Sequence, residues 1–297
     1  MKPGKFAYYE PSSIDQAVLM LADVAGQDGR VIAGGQTLVP AMALRFAQPA
    51  YLVDINGIEE LQVLKVEESR LVIGACVRHA AFHAPVVDGP LGALLSTVVK
   101  HIAHLPIRTR GTFCGSLANA DPASEWCLVA ATLGASLSVR SVAEERSIPA
   151  EDFFLGFMTT ALESNELLVS ASLPLLPEET VHGFEEFSRR AGDFAQAMGL
   201  AVLSLEGGVM RNVRIGVGGV ESFPRRLSDA EQLLEGRQAE DALLDQAADA
   251  AAACVAPVDI TPQEQEFRRR LVRTVVQRAL LKALGRRHAA TQEGLLS

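Results

Sequence analysis

Val31-Ile32-Ala33-Gly34-Gly35-Gln36-Thr37-Leu38-Val39-Pro40 decides how this chain is read. A short apolar run ends in paired glycines, and the apolar stretch from Leu38 to Arg45 follows at once, so the pattern predicts a strand turning into a helix. Glycine permits a tight turn and leaves neighbouring N–H groups free to face an anion. Farther along, Gly111-Thr112-Phe113-Cys114-Gly115-Ser116 has the same character, with hydroxyl side chains beside its glycines. Either stretch alone is most often an ordinary turn. Together they predict one ligand with two phosphates, held from both sides.

Strands and helices alternate around these stretches. Residues 14 to 26 carry helical apolar spacing after the caps Ser12 and Ser13. Tyr51 to Ile55 and Arg70 to Ala75 read as strands, residues 91 to 104 as a helix and Gly111 to Leu117 as the second turn. Asp121-Pro122-Ala123-Ser124-Glu125 opens a helix through Leu133, with Pro122 suited to its first position. Leu137 to Arg140 and Leu167 to Leu173 are predicted strands, and Leu176 to Thr180 is the linker. Beyond it, 181–190, 197–205 and 213–220 predict an antiparallel sheet, and 228–236, 239–254 and 262–284 predict helices. The fold class is α+β.

At 297 residues and 48% hydrophobic content, the chain can bury a core spread over two or three compact units. Its net charge of −9, with basic residues scattered, opposes binding to nucleic acid. The run Arg268-Arg269-Arg270 with Arg273 and Arg278 reads as a solvated helical face. The amino terminus lacks the apolar core of a signal peptide, and no run approaches the roughly 20 apolar residues that cross a bilayer. A cytoplasmic location with no membrane span is therefore expected. Cys76, Cys114, Cys127 and Cys254 stand singly, without the pairs that hold zinc or iron–sulfur clusters, so no metal is expected in this chain. His79, His83, His101 and His104 lack companion ligands at metal-binding intervals and read as exposed or hydrogen-bonded.

Ile32 to Pro40, Arg108 to Pro122 and Phe187-Ser188-Arg189-Arg190-Ala191-Gly192-Asp193-Phe194-Ala195 occur in an order and spacing that resembles one family. It is the FAD-binding medium subunit of molybdenum hydroxylases, of the carbon monoxide, nicotinate and xanthine dehydrogenase type. Gly218-Gly219-Val220 ahead of Pro224, and Phe267-Arg268-Arg269 ahead of an apolar helix, resemble its carboxyl-terminal domain, so the likeness covers nearly the whole chain. The resemblance implies two α/β FAD-binding subdomains, 1–57 and 58–177, a carboxyl-terminal domain of antiparallel strands and helices, 181–288, and a tail, 289–297. It implies FAD on this chain in an electron-transfer role that demands no acid–base residue. A molybdopterin cofactor in a large partner subunit, iron–sulfur clusters in a small one, and a dimer of heterotrimers are implied with it.

By matching positions, the resemblance places Ile32, Ala33, Gly34, Gly35, Gln36, Thr37 and Leu38 on one side of the pyrophosphate. Gly111, Thr112, Cys114, Gly115 and Ser116 lie on the other, and Ile102, Asn119, Glu125, Leu168 and Glu186 around the rest of the cofactor. Glu125 would accept hydrogen bonds from the adenosine ribose, and Leu168 would pack on the flavin ring. Arg189 and Arg190 are placed near the flavin end or in an ion pair with Asp193, with the two readings left even.

Pro106 stands where members commonly have a polar residue, two places before Arg108, and two further positions depart from the family pattern. Cys114 adds a Cβ where many members have glycine, at a place where the backbone angles could exclude it. Glu186 stands where members often carry lysine; a carboxylate beside the flavin would disfavour its anionic reduced form and lower its potential. Two rival readings stay open: a self-contained flavin-dependent oxidoreductase, and a non-catalytic assembly subunit that has lost FAD through these two changes.

Overall fold

The computed structural model describes residues 2–258 and 261–286, so the predicted tail 289–297 lies outside the described residues. The first unit runs β1 (Ala7–Tyr9), α1 (Ile14–Val24), β2 (Gly29–Ile32), α2 (Leu38–Ala43) and β3 (Tyr51–Asp54). Its three strands form a parallel sheet with β3 in the middle. Helix α1 begins where the Ser13 hydroxyl accepts the Gln16 N–H at 3.2 Å, and it buries the stripe Ala17, Val18, Leu21 and Val24. β2 stops at Ile32, and Gly35, at φ +67°, takes the left-handed conformation that lets the chain re-enter as α2.

The second unit contains β4 (Leu64–Glu67), β5 (Arg70–Gly74), α3 (Pro90–Val98), α4 (Leu105–Arg108), α5 (Phe113–Asn119) and α6 (Glu125–Leu133). It continues through β6 (Ser136–Arg140), β7 (Glu145–Pro149), α7 (Ala150–Phe153), the small hairpin β8 (Phe154–Gly156) and β9 (Thr159–Thr160), and β10 (Leu167–Pro174). Its main sheet, ordered β4-β5-β10-β6-β7, is antiparallel at every pairing. Among the strands absent from the sequence reading, β1, β4 and β7 are sheet edges. Charged residues such as Lys65, Glu67 and Glu145 protect such edges from further pairing and erase the apolar alternation by which strands are recognised.

Several predicted boundaries move. The helix expected over 91–104 stops at Val98: the His101 and Ile102 N–H groups turn to the carbonyls three residues back, at 3.0 and 3.2 Å, Ala103 then turns left-handed at φ +39°, and the Arg108 guanidinium binds the carbonyls of Ile102 and Ala103 at 2.7 and 2.9 Å. The helix expected from Asp121 begins at Glu125, because the Asp121 carboxylate accepts the Ala123 N–H at 2.9 Å and closes a separate turn around Pro122. The stretch expected as a turn over Gly111 to Leu117 is mostly helix: the Thr112 hydroxyl accepts the Gly115 N–H at 3.0 Å and caps α5.

The third unit pairs β11 (Thr180–Phe187), β12 (Ala197–Glu206), β13 (Val209–Gly218) and β14 (Arg225–Arg226) antiparallel, then adds α8 (Ser228–Leu234), α9 (Asp241–Cys254) and α10 (Pro262–Ala283). The strand expected over 181–190 ends at Phe187. Strand β12 is buried on both faces: Ala197, Ala201 and Leu203 meet the core beneath α8–α10, while Met198, Leu200 and Val202 belong to the core shared with the first two units. The sheet thus joins two cores, and the larger one fixes the first two units relative to each other.

Candidate functional site

A cavity of about 610 Å³ opens between the first two units, with the Gly192–Phe194 segment of the third at its rim. All of the sequence-predicted site residues line it except Glu186. The two glycine stretches meet at its floor. A Cβ added to Gly34 would lie 2.5 Å from the Arg110 carbonyl oxygen and 2.6 Å from the Gly111 Cα, so the loops touch through bare backbone. Among the described residues, the N–H groups of Gly34, Gly35, Gln36, Thr37 and Leu38 have no protein acceptor, and neither have those of Thr112 and Cys114. Donors of this kind beside a concavity suit an anion. The cavity lining holds one cationic Arg or Lys, Arg30, which is paired with Asp28 at 3.1 Å.

An aromatic wedge supports the second loop from below. Phe113 and Trp126 are fully buried with ring centroids 4.9 Å apart, and Phe82 lies 5.2 Å from Trp126. The indole N–H donates to Nδ1 of His79 at 2.9 Å, which puts that ring's own hydrogen on Nε2, under Gly111. Burial, reinforced by Arg78 and Arg108, pushes His79 down to about 4, so it is neutral. His79 is therefore buried and hydrogen-bonded, one of the alternatives its spacing left open.

Cys114 contributes backbone to the cavity while its thiol turns into the core and donates to the Ile73 carbonyl at 3.4 Å. Its backbone is helical, so the added Cβ strains nothing, and burial holds the thiol well above its usual range. Glu125 faces the cavity as a neutral acid: burial, then the charges of Glu186 and Asp121, push it up to about 8. At neutral pH it offers one O–H donor and one carbonyl acceptor, in place of the two acceptor oxygens expected from sequence.

Glu186, expected around the cofactor, is not among the residues that line the cavity. It projects from β11 toward His101, with Oε1 3.3 Å from Nδ1, and its buried Oε2 has no partner among the described residues. Arg189 and Arg190 form no ion pair with Asp193; the Asp193 N–H instead closes a turn on the Arg190 carbonyl at 3.1 Å. Gly192, at φ +86°, sits against the His104 ring, and Phe194 stands 72% exposed beside the cavity mouth.

Sequence reasoning missed several contributors. Glu166 lines the cavity beside Leu168 and is held ionised by a two-pronged bond from Arg146, at 2.7 and 2.8 Å. Asn56 donates from Nδ2 to the Ala33 carbonyl at 2.8 Å, and Arg78 donates to Asn56 Oδ1 at 2.6 Å and to the Arg110 carbonyl. No spacing rule marks these residues, because each bond joins groups well apart in the chain, and the Arg78–Asn56 bond also crosses from the second unit to the first. No group of three or more metal-binding side chains occurs among the described residues, and no described helix is long and apolar enough to cross a membrane.

Residues 4–176 match the family described as the FAD binding domain in molybdopterin dehydrogenase, and residues 182–283 the CO dehydrogenase flavoprotein C-terminal domain. The chain is 36% identical over 287 residues to the 6-hydroxypseudooxynicotine dehydrogenase complex subunit alpha of Paenarthrobacter nicotinovorans, spanning 96% of this chain and 97% of that one. It is 33% identical to the carbon monoxide dehydrogenase medium chain of Hydrogenophaga pseudoflava, over 96% and 99% of the two chains. The solved carbon monoxide dehydrogenase from Hydrogenophaga pseudoflava that lacks the Mo-pyranopterin moiety superposes with a TM-score of 0.91 at 34% identity, covering 96% of this chain and 99% of the other. Quinoline 2-oxidoreductase from Pseudomonas putida 86 gives 0.88 at 35% identity, with the same coverage.

Proposed function

This chain belongs to the FAD-binding medium subunits of the molybdenum hydroxylase family, and from that premise we propose that it is the electron-transfer flavoprotein of a heteromeric molybdenum-containing dehydrogenase. The observation that carries the reading is the meeting of two loops with unpartnered N–H groups on the floor of one cavity. The residues present fit FAD. Backbone donors from Gly34 to Leu38 would hold one side of its pyrophosphate, and the Cys114 N–H with the Thr112 and Ser116 hydroxyls the other. Asn119 and Glu125 would take the adenosine end, and Ile102 and Leu168 would wall the flavin ring. When bound, FAD accepts electrons singly and releases them to an external acceptor. This chain's part is to hold the ring, exclude water from it and keep charge away: Glu166 is neutralised by Arg146, and Glu186 is turned toward His101.

The partners of this reading are a large molybdopterin subunit and a small iron–sulfur subunit, assembled in the cytoplasm as a dimer of heterotrimers. Subdomains at 1–57 and 58–177 and a domain at 181–288 are the units we assign. Purification of the tagged chain from its native host tests the reading. A yellow complex is expected, with FAD in its denatured extract and both partners present. A colourless preparation, or activity from this chain alone, contradicts it.

A further inference from the structure

We propose that Arg78 is the positioning residue that locks the two phosphate loops into register, acting from outside the cofactor cavity; this rests on the FAD reading above. Backbone bonds from His79 N–H to the Gly111 carbonyl at 2.9 Å and from Phe113 N–H to the Val77 carbonyl at 3.0 Å lay the Arg78 segment alongside the second loop. From there its guanidinium reaches the Arg110 carbonyl with one nitrogen and, at 2.6 Å, Asn56 Oδ1 with another. Asn56 passes the connection on, donating to the Ala33 carbonyl at 2.8 Å and to Asp54 Oδ1 at 2.5 Å. One planar side chain therefore ties the residue before Gly111 to the residue before Gly34. These are the positions from which both sets of unpartnered N–H groups are aimed.

The geometry excludes a direct role. Arg78 does not line the cofactor cavity; it lines a separate cavity of about 400 Å³ with Gln62, Leu64, Cys76, Val77 and Ala81. Its positive charge thus enters between the units from behind. Two acceptors in different units require the fork of a guanidinium, which the point charge of lysine cannot reproduce. Free of the link, the first unit can shift against the second, and donors from two loops no longer converge on one pyrophosphate.

The second cavity makes the idea testable by chemical rescue. FAD is stripped from the full-length chain and titrated back by flavin fluorescence, with apo-protein melting recorded alongside. Arg78→Ala is expected to weaken FAD binding at least about tenfold, Arg78→Lys nearly as much, and apo melting to stay close to wild type. Guanidinium chloride at about 10 mM, far below denaturing strength, is expected to restore much of the Arg78→Ala affinity, while sodium chloride at equal ionic strength does not. Asn56→Asp keeps the acceptor and loses the link to Ala33, so it should bind FAD weakly and show no rescue. Wild-type binding with unchanged Arg78→Ala affinity, or an Arg78→Ala loss that guanidinium leaves untouched, overturns the lock. Should Arg78→Ala not fold, wild-type affinity in Arg78→Lys overturns it equally. Absence of FAD binding by the wild-type chain overturns the flavin reading and the lock with it.

Discussion

Single residues at this site are governed by what burial does to their protons. Glu125, held up at about 8, keeps in the folded chain a proton that an unfolded chain releases above 4.5. Stability should therefore fall as pH rises from about 4.5 to about 8, and Glu125→Gln, with no proton to lose, should abolish that slope. His79, held down at about 4 from 6.5, works in the opposite direction: its contribution is present above 6.5 and is lost as pH falls toward 4. Urea midpoints of the apo chain between pH 4 and 9 should show the Glu125→Gln variant gaining on wild type only on the alkaline side. Cys114 is governed by the same burial. Its thiol should resist alkylation in the native chain, and Cys114→Ala should keep full flavin content, with a stability loss of about 1 kcal/mol. Labelling of native Cys114, or bleaching of the variant, would show that the sulfur faces the ligand. The family pattern, which favours glycine at this position, drew attention to Cys114. Its harmlessness could be read only from the helical turn that points the thiol toward Ile73.

Elements form where local pattern and tertiary need agree. Helix α10 carries its own start signal, Thr261 with Glu264 in a reciprocal cap, and was placed from sequence within a residue or so. Its docking uses a feature that propensity scales count against a strand. Gly199 in β12 lies where a Cβ would be 2.9 Å from the Val275 carbonyl oxygen, so the helix rests directly on the sheet. Gly199→Val should destabilise the chain by about 1–3 kcal/mol by overpacking, seen as a lower urea midpoint. Since α10 stands apart from the cofactor cavity, flavin affinity in the fraction that folds should be unchanged. Trp126→Ala tests the aromatic wedge and has a different signature. About 3–5 kcal/mol of stability should be lost, and flavin affinity with it, because Phe113 and His79 both lean on the indole beneath the second loop. The edge strands β1, β4 and β7 stayed hidden because a half-solvated strand has little apolar alternation to display.

At the scale of the molecule, the cavity is a product of two units held by one core. FAD bridging them should raise the melting temperature of the whole chain in a single transition, and Gly34→Val, which drives a side chain into Arg110 and Gly111, should remove both the flavin and the shift. Melting curves with and without added FAD check this; a ligand-induced shift that survives in Gly34→Val would place the ligand elsewhere. By itself the sequence determined the class of fold, the order of the units, the two loops and the family they signify. Those properties reside in short runs of chain, where glycine, apolar periodicity and capping residues act over a few bonds. Tertiary structure alone decided that the loops touch, that Glu125 is a neutral acid, that Glu186 turns toward His101, and that Arg78 and Asn56 join the loops. Each depends on groups far apart in the chain approaching within a few ångströms, where desolvation and close charge outweigh anything that sequence spacing encodes.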